Sequence, residues 1–227
     1  HFAAERVMSI PGSASPLFLT SAAAAAPAGF QVDRSLRFNS ADSAYLYRSS
    51  WGTPTNRKKG TLSVWAKRST LSGSNRIFHA YDGSSNSSFD ISFNSDNTIG
   101  FNFGGSGGYG NTTNALARDP SAWYHIVWAW DTTDATSSNR LKVYVNGTLQ
   151  TFGISSYPPQ NSDAQFPTAS TDSASGTFIG AGYGPGSYLN GYLAELHFVD
   201  GQALAPTDFA ETDSDNNWNP KEYSGTY

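Results

Sequence analysis

The sequence predicts an all-β domain, a sandwich of antiparallel sheets, and three observations predict it. The first is composition: of 227 residues only 14% are charged and 14% aromatic, with 22 Gly and 11 Pro, a balance that favours short strands and tight turns over amphipathic helices. The second is a stretch of one strand, Ile126, Val127, Trp128, Ala129 and Trp130, that puts apolar groups on both faces, as burial on two sides requires. The third follows at once: Leu141, Val143 and Val145 alternate with Lys142 and Tyr144, and Asn146-Gly147 tolerates the positive backbone angles of a tight hairpin.

In chain order, residues 1–32 read as an N-terminal arm or linker. They are rich in Pro, Ala, Ser and Gly, and the run Ala22 to Ala26 is too short to hold a helix alone, for which about 12 to 15 residues are needed. His1 opens the chain and the only methionine is Met8, so residues 1–7 are expected to belong to a longer precursor, a tag or an upstream segment. Residues 33–210 carry the sandwich. Leu36 and Phe38 begin the strands, Tyr45-Leu46-Tyr47 follow, and Thr61 to Lys67 sets Leu62, Val64 and Ala66 against Ser63, Trp65 and Lys67. Ile77 to Tyr81, Phe89-Ile91-Phe93 and Ile99-Phe101-Phe103 keep the period of two, with Gly, Ser, Asn and Asp between them. Thr177 to Ala181 and Gly191 to Val199 close the series, the latter with Tyr192, Ala194, Leu196 and Phe198 expected on one face and Glu195 and His197 on the other. Ala205 to Phe209 predicts a single helical turn with Thr207 or Asp208 near its start. Residues 211–227 lack periodicity and read as a strap over the surface or a junction to further sequence. No repeat of 20 to 50 residues is visible, which disfavours a propeller or solenoid.

A net charge of -4 gives no electrostatic reason to expect nucleic acid, and the one basic run, Arg57-Lys58-Lys59, reads as a solvated loop. Zero cysteines exclude disulfides and thiolate metal sites. No window reaches the roughly 18 uninterrupted apolar residues of a spanning helix, so membrane insertion is not expected. PLFLTSAAAAAPAG faintly suggests a signal peptide but lacks a basic leading region and is broken by Pro16 and Pro27.

The pieces SLRFNSADSAYLY, GTLSVWAKRS, WYHIVWAWD, RLKVYVNGTLQ and GYLAELHFVDGQALAPTDF, in that order over about Ser35 to Phe209, resemble the laminin-G-like branch of the concanavalin A-like lectin and glucanase superfamily. The resemblance implies a jelly-roll β-sandwich of two antiparallel sheets with variable edge loops. The phrases SIPGSASPLFL, DPSAWYHIVWAWDTTDATSSNR, DGQALAPTDFAETDS and NWNPKEYSGTY are similar to concanavalin A-like domains of bacteriophage virion proteins, tail fibres or head appendages. That similarity implies a virion-surface location on capsid or tail, with Tyr227 marking the end of what is ordered or processed and not the end of the gene. The partners it implies are other virion proteins through the arm, further copies of the chain in a homo-oligomer, and host-surface carbohydrate.

The superfamily includes glucanases, whose laminarinase branch sets two carboxylates on one strand in an ExDxE spacing, about 5 to 5.5 Å apart. No such motif occurs here; the nearest approach, Glu195-Leu196-His197, offers one carboxylate. Gly104 to Gly110, GGSGGYG, mimics a nucleophile elbow and a dinucleotide loop but has no helix after it, so a strand connection is the better reading. The histidines His1, His79, His125 and His197 show no paired-ligand spacing, and His125 reads as a hydrogen-bonded structural imidazole. Calcium is the more plausible ion, because relatives hold it with loop carboxylates; the candidates are Asp82, Asp131 and Asp134, with Asp90 and Asp96 beside them, weighed against ordinary solvated turns. Tyr109, Tyr157, Tyr183 and Tyr188 stand in Gly/Pro/Ser-rich loops and are the candidates for stacking on sugars, weighed against packing over the sheet edges. The reading that results is a non-catalytic virion adhesion or structural domain contacting host glycans. A decoration or assembly protein docked through its arm is the alternative, followed by a glycan hydrolase built around Glu195.

Overall fold

Alternating apolar and polar residues build fifteen strands among the residues described by a computed structural model, namely 30–49, 52–81, 88–104, 108–154, 156–164, 176–182 and 186–227. The strands are β1 (Leu36–Phe38), β2 (Leu46–Arg48), β3 (Lys59–Arg68), β4 (Asn75–Tyr81) and β5 (Ser88–Phe93). Then come β6 (Thr98–Asn102), β7 (Gly110–Leu116), β8 (Tyr124–Asp131), β9 (Leu141–Val145) and β10 (Thr148–Leu149). The last are β11 (Phe152–Ile154), β12 (Gly176–Ile179), β13 (Gly191–Asp200), β14 (Ala210–Thr212) and β15 (Trp218–Pro220). They form a six-stranded sheet, β1-β13-β3-β8-β9-β10, a seven-stranded sheet, β11-β7-β6-β5-β4-β12-β2, and the small pair β14-β15, every pairing antiparallel. This is the all-β jelly-roll sandwich that the sequence predicts. Of the expected arm, residues 1–29 lie outside the described residues.

The core lies between the two large sheets. Leu62, Val64 and Ala66 from β3 and Ile126, Trp128 and Trp130 from β8 meet Phe89, Ile91 and Phe93 from β5 and Ile99 and Phe101 from β6. Trp128 stacks on Phe89 at 4.2 Å with an interplanar angle of 14°, joining the sheets through one aromatic pair. The Asn146-Gly147 hairpin takes φ values of 48° and 76°, and Val145 pairs with Thr148 across it.

The opposite face of β8 is also buried, which explains its uninterrupted apolar run. Val127, Val199 and Phe209 form a second cluster, covered by Leu204, Tyr144 and Tyr223. The segment after β13 makes much of this cover: Tyr223 stacks on Phe209 at 4.9 Å, and Trp218 reaches His125. His125 is fully buried, and the Trp218 indole N–H donates to its Nδ1 at 3.0 Å, which leaves Nε2 to carry the proton and donate to Ser63 Oγ at 2.9 Å. Burial pushes the imidazole down to about 3, so it is the neutral structural group expected of it.

One local expectation is corrected. Between Ala194 and His197 strand β13 carries a bulge: these residues face Trp65 and Ser63 of β3, three steps against two, with Glu195 at φ 46°. One extra residue inverts the alternation. Tyr192 and Ala194 therefore lie on the outer face, while Leu196 and Phe198 pack into the core, so the four do not share a face. Within Ala205 to Phe209 the expected single turn is a 3-10 turn, Pro206–Asp208, with Thr207 second in it; Pro206 needs no N–H donor in a first turn, and Asp208 Oδ2 accepts from the Ala205 N–H at 2.9 Å.

Candidate functional site

The period of two that buries Phe89, Ile91 and Phe93 turns Asp90 and Ser92 of β5 to the outside of the seven-stranded sheet. Register places Gly100 opposite Ser92 and Asn102 opposite Asp90, while Thr112 of β7 lies opposite Gly100. With Arg76 of β4, which faces Ser92, these residues line a groove of about 340 Å³ across the sheet face. That size is at the small end of ligand clefts, roughly 300 to 1,000 Å³.

Gly100 makes the groove floor. A Cβ there would lie 2.8 Å from Asn94 Nδ2, so any larger residue would displace the Asn94 amide. The amides are held in place: Ser92 Oγ donates to Asn94 Oδ1 at 3.0 Å, Asn94 Nδ2 donates to Thr98 Oγ1 at 2.9 Å, and Asn102 Nδ2 donates to Ser88 Oγ at 2.6 Å. Arg76 Nη1 pairs with the buried Asp90 Oδ1, and burial lowers the guanidinium pKa from its ordinary value. His79, next to them on β4, is pushed down to about 4 by burial and then by the Arg76 charge, so it is neutral at pH 7. The groove thus presents one fixed ion pair and several oriented amides and hydroxyls. Aromatic rings flank it: Tyr47 and Tyr45, 44% and 39% exposed, pack on Phe178 at 5.0 and 6.0 Å, and Phe178 lies 6.4 Å from His79.

This arrangement suits a polyhydroxylated ligand, which needs several neutral donors and acceptors in fixed places and an aromatic surface for its C–H face. For hydrolysis it supplies one carboxylate, Asp90, already bound to Arg76, where retaining and inverting chemistry both need two. Glu195 lies on the other sheet, where its Oε2 is 3.4 Å from His197 Nε2, and His197 Nδ1 is 2.9 Å from the Tyr227 hydroxyl. Burial holds the His197 pKa below its ordinary value against the opposing pull of Glu195.

The predicted stacking tyrosines do not converge. Tyr109 sits at the groove's end between Gly108 and Gly110, but its ring is half-buried against the core. Tyr157 is also half-buried there, 6.5 Å from Phe152. Tyr188 lies 6.4 Å from Tyr45, on the flanking aromatic terrace, and Tyr183 is outside the described residues. Asp82, one of the calcium candidates, is outside them as well. Asp131 bonds Lys59 Nζ at 2.8 Å and accepts from the Thr133 N–H at 3.0 Å; burial opposes its ionisation, and these bonds outweigh it to hold its pKa low. Asp134 accepts from the Thr136 N–H at 2.7 Å and Asp96 from the Thr98 N–H at 3.0 Å, both as turn residues. Among the described residues no three carboxylates or histidines gather as a metal site. Sequence reasoning passed over Arg76, Asn94, Gly100, Asn102 and Thr112; their signal was the polar half of each alternation, together with a glycine inside a strand, which marks a close approach.

The laminin G family model described as the concanavalin A-like lectin/glucanases superfamily matches residues 38–209. The chain belongs to this superfamily. Among solved structures it is similar to a mutant NanB sialidase from Streptococcus pneumoniae, at 14% identity and a TM-score of 0.51, over 79% of this chain and 28% of that one. It therefore spans little more than a quarter of that sialidase, and the likeness is one of fold. Lower likenesses are to the carbohydrate-binding module CBM40 of a Ruminococcus gnavus sialidase bound to α2,3-sialyllactose (14% identity, 78% of this chain, 97% of that one, TM-score 0.49). A further one is to domain 4 of an arabinanase from Geobacillus stearothermophilus with arabinotriose (18% identity, 72% and 78%, TM-score 0.49). No curated protein sequence matches the chain.

Proposed function

We propose that this chain is a non-catalytic carbohydrate-binding domain whose sheet-face groove holds a glycan, and that it acts as an adhesion module on a bacteriophage virion. The groove carries the first half of the reading: Arg76, Asn94, Asn102 and Thr112 offer fixed polar groups over a glycine floor, beside the exposed Tyr45 and Tyr47. Membership of a lectin-containing superfamily supports it. The virion setting rests on the phrases similar to phage tail-fibre and head-appendage domains, and host-surface glycan is the ligand that setting supplies. Calcium has no part in the groove as proposed. A second reading, assembly through protein contacts, is favoured by the exposed Leu36 and Leu46 on the neighbouring edge strands β1 and β2, 56% and 48% exposed.

A glycan array probed with the folded domain tests the first reading. Binding is expected, and Asn102→Ala is expected to weaken it about fivefold to tenfold, the value of one or two neutral hydrogen bonds. Cleavage of the bound glycan, or affinity unchanged in Asn102→Ala, would contradict it.

A further inference from the structure

On the outer face of the other sheet, three tryptophans from distant parts of the chain meet. Trp65 belongs to β3, Trp123 precedes β8, and Trp218 opens β15. With Asp33, Arg34 and Pro220 they line a cleft of about 360 Å³. Ala194, set opposite Trp65 by the stretch of β13 before the bulge, adds a methyl group to the cleft lining.

The rings are fixed before any ligand arrives. Trp65 stacks on His125 at 4.8 Å and 14°, which uses one of its faces. Trp218 is anchored by its N–H on His125 Nδ1, and it covers Gly147 so closely that a Cβ there would lie 3.1 Å from the indole. One neutral imidazole therefore positions two walls of the cleft. Trp123 is half-buried, 6.4 Å from Tyr192, whose ring Arg37 covers at 5.1 Å. Rigid aromatic walls lose little conformational entropy on binding.

Two charged groups at this cleft are unpaired among the described residues. Asp33 and Arg34 are exposed and make no hydrogen bond or ion pair among the described residues. A lipid or other apolar occupant would leave Asp33 and Arg34 unmatched. A ring with one C–H face and a rim of hydroxyls matches both the indoles and the two charged groups, and adjacent opposite charges favour a neutral ring over an ionic one.

We propose that the Trp65, Trp123 and Trp218 cleft is a second carbohydrate site, specific for a neutral pyranose, on the sheet opposite the groove and independent of it. The sugar stacks on indole, and its hydroxyls bond Asp33 and Arg34. Occupation of both sites by one multivalent glycan surface would raise the strength of attachment without new contacts in either site.

Intrinsic tryptophan fluorescence of the full chain, titrated with glucose, galactose and N-acetylglucosamine up to about 50 mM, tests this at the affinities expected of single sugars. A saturable change with at least one sugar is expected. Trp123→Ala and Asp33→Ala are expected to weaken it about tenfold or more, because both residues lie at the cleft's rim and can be removed without opening the core. Asn102→Ala, in the groove, is expected to leave it unchanged. The proposal is overturned if no sugar gives a saturable change with folded protein, if the change survives Trp123→Ala, or if it is Asn102→Ala that abolishes it.

Discussion

Alanine in place of Trp128 is expected to lower the free energy of unfolding by about 3–5 kcal/mol, a large share of the stability of a single domain. Trp128 is fully buried and meets four aromatic rings of the core: Phe89 at 4.2 Å, Phe101 at 5.5 Å, Trp130 at 6.0 Å and Phe103 at 6.2 Å. Its removal opens a void that strands on both sheets hold apart, so collapse around it is restricted. The indole N–H has no hydrogen-bond partner among the described residues, which gives the test a second arm. Trp128→Phe keeps a ring against Phe89 and removes the unsatisfied donor, so the lost volume is partly offset, and a cost below about 1.5 kcal/mol is expected. Denaturant titration of both variants reads this as two midpoints at a common slope. Equal losses in the two would mean that ring packing is not what joins the sheets.

Acid is expected to weaken the fold well above the range in which carboxylates titrate. Burial holds His125 down to about 3, and burial together with the Arg76 charge holds His79 down to about 4, against 6.5 for a free imidazole. Between those values the unfolded chain binds protons that the native chain refuses, so the unfolded state gains as pH falls. Stability from these groups is complete above pH 6.5 and declines below it, by up to about 1.4 kcal/mol per pH unit for each histidine. Both act from pH 6.5 down to about 4, and His125 alone continues to about 3. Midpoints of denaturation measured at pH 7, 6, 5 and 4 should fall steadily. His125→Gln, which carries no titrating group, should flatten the slope while costing stability at pH 7. A profile level from pH 7 to 4.5 would contradict the buried, neutral state of both rings.

Much of the fold is legible in the residues. The apolar positions on both faces of β8 become two separate clusters, and Asn146-Gly147 makes the turn its two residues specify. The bulge at Glu195 was not legible, because a one-residue insertion leaves each half of β13 looking regular and reveals itself only in the pairing with β3.

The candidate site was harder to see for a different reason. Polar residues at Asp90, Ser92, Gly100 and Asn102 look like any solvated sheet face until neighbouring strands set them side by side. Loop tyrosines drew attention instead, but the rings of Tyr109 and Tyr157 pack on the core. Exposed aromatics came from Tyr45 and Tyr47, which the sequence marks only as a strand. Long-range partners were hidden in the same way: Trp218 sits 93 residues from the His125 it holds, and nothing local to either predicts the bond.

Amide chemical-shift mapping by NMR, with the strongest glycan from an array added to the isotope-labelled chain, tests the central claim most directly. Shifts are expected to concentrate at Arg76, Ser92, Gly100, Asn102 and Thr112, with a smaller set at Tyr45 and Tyr47. Saturation with the groove residues unmoved would contradict the account.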